Sequence, residues 1–258
     1  MNNIVAVAMV VIKELYRRKD VYVLFILTAL ITLMAGAVNL FNDPNIVRYV
    51  KELCLLLIWI AMLVIAITMA ARHIPMERES RTIFPLLAKP ISRAEVLLGK
   101  FLGCWLACGL ALLVFYAFFG AVCLAREHDW QGMNYLQALL LHWAMLAIVL
   151  AATLLGSLVF AAPGSNTTIL LVVTSAILMV GRHLHKVALQ LPEPQQTITT
   201  VLYYLIPHLE WFDVRDLIIH NWPLIPWDVV AKAVFYAAFY SALFLTLACR
   251  RFRKLALT

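Results

Sequence analysis

Residues 130–181 read WQGMNYLQALLLHWAMLAIVLAATLLGSLVFAAPGSNTTILLVVTSAILMVG and contain no Asp, Glu, Lys or Arg. A helix rises about 1.5 Å per residue, so as one rod this stretch would be about 78 Å long, more than twice the roughly 30 Å hydrocarbon core of a bilayer. It has to double back. The reversal falls at Ala162-Pro163-Gly164-Ser165-Asn166. Proline cannot continue a helix, glycine permits the turn, and Ser165 or Asn166 can cap the helix that follows. Spans are therefore expected at about 136–161 and 166–182.

The rest of the chain suits the same solvent. Of its 258 residues 64% are hydrophobic and 14% charged, with a mean hydropathy of +0.90. A soluble domain averages about 25% charged residues, so this composition cannot build a water-facing surface. Four more apolar runs, at about 21–41, 53–71, 97–124 and 229–249, are long enough to cross. All ten prolines fall outside these span interiors. The expected fold is an all-α integral membrane protein, a single domain of six transmembrane helices over residues 1–258. Residues 1–19 form an interfacial helix, with Ile4, Ala8, Val11, Ile12 and Leu15 on one stripe and Lys13, Arg17 and Arg18 opposite. Residues 183–228 form a helical external segment between spans five and six, with short helices at 201–206, 209–212 and 217–219. Tyr203, Tyr204, Trp211, Trp222 and Trp227 supply its aromatic belt.

The net charge of +7 is distributed unevenly. By the parity of six spans, 14 of the 21 Lys and Arg fall on one face, against five acids. They lie in residues 13–19, 72–100 and 250–254. The other face holds seven basic residues and nine acids. The positive-inside rule then places both termini and the basic loop 72–96 in the cytoplasm. The charge orients the chain in lipid, and nucleic acid is not an expected partner.

Little in the sequence points to chemistry. The span interiors hold no Asp, Glu, Lys or Arg, which argues against a proton- or ion-coupled carrier. His142 is the titratable exception, near the outer end of span four, where a neutral hydrogen-bonded ring is expected. Asp228 and Lys232 flank the outer end of span six and can snorkel to water. Gly99-Lys100 is followed by Phe101 rather than Ser or Thr, and Ala94 stands where a P-loop needs its first glycine, so the chain has no ATP site of its own. Cys54, Cys104, Cys108, Cys123 and Cys249 form no C-x-x-C pair and read as packing residues. His183, His185 and His208 lie near acids, but no helical metal-ligand pair is among them. Neither a catalytic group nor a cofactor or metal site is expected. Gly99, Gly103, Ala107 and Ala111 recur every four residues, a small-residue stripe for a close helix contact within the bundle or at a subunit seam.

The loop from Glu77 to Lys100 is the most specific motif. Its acids are followed by Thr82, Leu86-Leu87, Pro90-Ile91-Ser92-Arg93 and then Gly99-Lys100, where the chain re-enters the membrane. This pattern resembles the permease subunits of ABC-2-type exporters, as do the six-span plan and Tyr204-Leu205-Ile206-Pro207-His208-Leu209-Glu210-Trp211-Phe212 before the last span. The resemblance implies a non-catalytic membrane subunit paired with a second permease, homodimeric or heterodimeric. It also implies two soluble ATPase subunits that carry the ATP and Mg. Glu77, Arg78, Glu79, Thr82, Leu86 and Leu87 would form the coupling helix that meets the ATPase. Pro90, Ser92 and Arg93 would return the chain to the membrane, with Ser92 as a helix cap. A lipid-like or amphipathic cargo suits the uncharged spans. Two other readings stand beside it: force transmission to an external partner protein without transport, and a membrane-embedded metal-dependent enzyme.

Overall fold

The computed structural model describes residues 3–17, 26, 29–30, 44–80, 91–125, 130–160 and 162–254. Every regular element among them is helical: α1 (Asn3–Arg17), α2 (Pro44–Glu79), α3 (Arg93–Leu124), α4 (Gly132–Val159), α5 (Pro163–Ala188), α6 (Gln195–Leu205), a 3-10 turn (Leu209–Phe212), α7 (Arg215–Ile219) and α8 (Trp227–Lys254). Five of these, α2 to α5 and α8, contain segments long and apolar enough to cross a membrane. The expected first span, 21–41, lies outside the described residues apart from Ile26, Ala29 and Leu30.

α4 is the axis of the bundle and touches α2, α3, α5 and α8. Its Ala138, Leu141, Met145, Leu150, Ala151 and Leu154 are buried. Around them pack Ile58 and Met62 of α2, Leu112 and Phe115 of α3, and Phe252 of α8. Lipid tails are as apolar as these side chains, so the helices associate through close packing and hydrogen bonds between them. Trp105 and Trp143 show both. Each indole Nε1 donates to the other residue's carbonyl at 3.0 Å, and the rings stack 4.4 Å apart. Of the cysteines, Cys54, Cys104, Cys108 and Cys123 are buried and Cys249 is half-buried.

The reversal between α4 and α5 falls where the sequence places it, but its chemistry differs. α5 begins at Pro163, a position where the missing amide is one of the orphans of a helix start anyway. Ser165 and Asn166 are therefore inside the helix and do not cap it. Asn166 is fully buried and donates from Nδ2 to the carbonyl of Thr153 at 3.1 Å, across the hairpin. Thr167 and Thr168 bond back to the carbonyls of Pro163 and Gly164 at 2.9 and 3.1 Å.

α2 also departs from expectation. It runs past residue 71, through Pro75, to Glu79. Its 36 residues make a rod of about 54 Å, so several turns project beyond a hydrocarbon core of about 30 Å. Pro75 withholds one amide from the ladder, but His73, Ile74 and Pro75 are all buried against neighbours, which holds the helix together. The expected loop 72–96 is therefore helical as far as Glu79 and again from Arg93.

At the other end of the bundle the three short helices expected near 201–219 are present as α6, the 3-10 turn and α7. Tyr204, Trp211, Trp222 and Trp227 are exposed there, as an interfacial belt requires. Asp228 and Lys232 pair at 3.1 Å on the exposed face of α8.

Candidate functional site

Three helices, α1, α2 and α8, converge on the start of α3. Ser92 is its N-cap, in extended backbone geometry. The Ser92 hydroxyl accepts from the Glu95 amide at 3.2 Å, and the Glu95 carboxylate accepts from the Ser92 amide at 2.7 Å. This capping box satisfies two orphan donors reciprocally and fixes where the helix begins. Ser92→Ala is expected to lower stability by about 1 kcal/mol, read as a lower thermal midpoint; an unchanged midpoint would remove the cap from the account. Arg93 then reaches the last turn of α8. Its Nη1 donates to the carbonyls of Phe252 and Arg253 at 2.7 and 3.3 Å, and the guanidinium lies 5.7 Å above the Phe252 ring. A cation suits unsatisfied carbonyls at a helix C-terminus.

Two turns further in, Lys100 is buried, and its Nζ donates to Glu77 Oε1 at 2.6 Å, tying the end of α2 to α3. His73 of α2 lies 3.7 Å from Glu14 of α1. α1 itself seats on the small-residue stripe. A Cβ added at Gly99 would stand 2.7 Å from Val7 Cβ, and one at Gly103 would stand 2.7 Å from Val11 Cβ and 2.8 Å from the Ala8 carbonyl oxygen. The stripe is thus a contact within the chain. Ala107, further along it, is buried and Ala111 is half-buried against the core.

The expected coupling residues divide accordingly. Glu77 faces inward to Lys100, whereas Arg78, Glu79 and Ser80 are exposed at the tip of α2. Ser92 and Arg93 lock the start of α3. Thr82, Leu86, Leu87 and Pro90 lie outside the described residues. The sequence reading took Lys100 as loop charge. Its position inside a long apolar run was the available sign that it needs a partner.

The opposite end is stitched by polar groups that sequence reasoning passed over. Asn134 Nδ2 donates to the carbonyls of Leu217 and Trp222, both at 3.1 Å. Gln137 exchanges two bonds with the backbone of Ile225, at 2.8 and 3.1 Å. Lys51 of α2 donates to the Ile218 carbonyl at 3.4 Å. Arg215 makes two bonds to Asp213, at 2.7 and 3.1 Å, and lies 4.8 Å above the Trp59 ring. Burial pulls the Arg215 pKa down, but the bonds and charge of Asp213 outweigh it and hold the guanidinium above its ordinary value. His142 is hydrogen-bonded through Nδ1 to the Tyr116 hydroxyl at 2.6 Å, within the bundle. The spacing of Asn134 and Gln137, one turn apart at the start of a charge-free helix, was the signal that could have found this seam.

Among the described residues, no group of three or more His, Cys, Asp or Glu converges for a metal ion. His183 is exposed and His208 buried, while the His185 side chain lies outside the described residues. The arrangement is mechanical: charged helix ends pinned to one another at one face, and a folded segment bonded down at the other.

Two comparisons with known proteins bear on this. The sequence model of the ABC-2 family transporter proteins matches residues 3–255, nearly the whole chain. No curated protein matches it.

Proposed function

The chain belongs to the ABC-2 family of transporter proteins, and from that premise we propose that it is the permease subunit through which a separate ATPase drives export across a bacterial inner membrane. The exposed tip of α2, with Arg78 and Glu79, and the residues up to Arg93, including Thr82, Leu86, Leu87 and Pro90, form the contact with the ATPase. Both chain termini lie on that cytoplasmic side, where α1 lies in the membrane interface. Two permease copies pair, with ATP and Mg held on two partner subunits, and an amphipathic or lipid-like cargo passes.

The observation that carries this reading is the pinning of three helices to the start of α3. Glu77–Lys100 joins α2 to α3, Arg93 joins α3 to α8, and Gly99 and Gly103 admit α1. A displacement applied to residues 80–92 is therefore delivered to α1, α2, α3 and α8 together, as rigid-body coupling requires.

The test is the double reversal Arg78→Glu with Glu79→Lys, both exposed and outside the ion pair of the core. Co-purification with the partner ATPase is expected to weaken by about 2 kcal/mol or more, roughly 30-fold, while the permease keeps its thermal midpoint. Unaltered co-purification and unaltered stimulation of ATP hydrolysis would move the contact elsewhere. A force-transmitting role without cargo draws support from the Asn134, Gln137 and Lys51 bonds, which fasten the far segment to α2 and α4. ATP hydrolysis without measurable flux in reconstituted vesicles would favour it.

A further inference from the structure

Between α4, α5 and α8 lies a cavity of about 600 Å³, a size typical of small-molecule sites. Its wall follows α5 from Leu170 to Leu184, a length of about 21 Å. Val149, Leu170, Ile177 and Phe244 make most of the wall apolar. Apart from Thr174 on α5, the polar side chains lie at one end, where His208, just before the 3-10 turn, and Glu210, within it, line the cavity.

Glu210 is an unusual residue to find there. Its side chain is only 5% exposed, with Oε1 3.0 Å from His208 Nδ1. Oε2 is buried and receives no hydrogen bond from any described residue. The carboxyl lies flat against Gly181, where a Cβ would stand 2.6 Å from Oε2, so the glycine makes room for it. The Tyr203 ring, which also lines the cavity, lies 4.4 Å from the His208 ring. An acid buried without a full set of donors is costly unless something else supplies them. An ammonium group supplies both the donors and the opposite charge, and it is favoured by aromatic faces.

We propose that this cavity binds an alkylammonium amphiphile, with the chain along α5 and the head at the Glu210–His208 pair. The proposal rests on the permease reading and names the chemical class of its cargo. The cavity gives the chain a dry slot, and Glu210 distinguishes the cationic head from a neutral one of the same length.

The experiment uses the full-length chain with its ATPase in lipid nanodiscs and a dodecylammonium probe carrying a photoreactive group in the chain. Peptides of α5 and α8 should be labelled. Unlabelled dodecylammonium should compete at concentrations roughly 10- to 100-fold lower than dodecanol. In Glu210→Gln, which preserves side-chain shape, that preference should collapse. In Ile177→Trp, which fills the slot, labelling by the probe should be lost. Equal competition by ammonium and alcohol in the wild-type protein would overturn the proposal, as would a preference that survives Glu210→Gln. Labelling elsewhere in the chain would overturn it too. Co-purification of the ATPase is read in the same samples. Its loss would count against the permease reading, and its retention with no ammonium preference would count against the cavity alone.

Discussion

Leucine in place of Gly103 is expected to lift α1 off α3. At this position even a single added carbon would stand 2.7 Å from Val11 Cβ, 2.8 Å from the Ala8 carbonyl oxygen and 3.0 Å from Ala8 Cα. All three obstacles belong to the backbone or to the first side-chain atom, so no rotamer change relieves them. Among the described side chains of α1, Ala8 and Val11 are the most deeply buried, at 6% and 3% exposure, and both lie at this contact. Overpacking by a methylene or two costs about 1–3 kcal/mol, and a leucine inserts more than that into a helix seam with no slack. The Glu14–His73 contact should be lost with the seam. The expected readout is protease cleavage within residues 3–17 in the variant at protease levels that leave the wild-type segment intact. Gly103→Ala should show the same effect in milder form. Full protection in the leucine variant would mean that α1 is held by something other than this stripe.

Removing the partner of Lys100 is the second large perturbation. The Lys100 side chain is 3% exposed and that of Glu77 30% exposed, with 2.6 Å between them. Breaking a buried ion pair by deleting one member costs about 3–5 kcal/mol, because the other charge is stranded away from water. Glu77 is partly in contact with solvent, so Glu77→Gln belongs near the lower end of that range. The adjoining double variant Glu77→Gln with Lys100→Met should recover most of the loss, since an apolar replacement of a buried pair is often neutral. The measurement is the thermal midpoint of the detergent-solubilised protein for the three variants. A single variant as stable as wild type, or a double variant no better than the single, would show that the pair does not carry the α2–α3 junction.

The sequence made the membrane architecture legible through features that act locally. Pro163 marked the reversal because a missing amide constrains the chain wherever it sits. The stripe Gly99–Gly103–Ala107–Ala111 marked a close approach because four-residue spacing puts small residues on one face. Neither feature says what lies on the other side, and the partner turned out to be α1. Apolar runs locate the lipid but not the ends of helices. α2 continues for two further turns beyond Ala71, through Pro75, because the buried His73, Ile74 and Pro75 pack against neighbours that no apolar run announces. The pairs that pin the start of α3 to its neighbours were illegible for a different reason. Glu77 and Lys100 are 23 residues apart, and Arg93 bonds to carbonyls some 160 residues away. Backbone acceptors leave no trace in a sequence. Asn134 and Gln137 announce a polar seam by their spacing, but the carbonyls and amide that they bind leave no such trace. The cap at Ser92 was legible because its partner Glu95 stands three residues on.

The burial of Cys54, Cys104, Cys108 and Cys123, with Cys249 only half-covered, has a use at the bench. A membrane-impermeant maleimide added to intact cells or inverted vesicles would find almost no native sulfur to react with. A reporter thiol introduced at Arg78 or at Trp222, both exposed and at opposite ends of the bundle, would then reveal the sidedness of the chain with nothing more than a Cys249→Ser background.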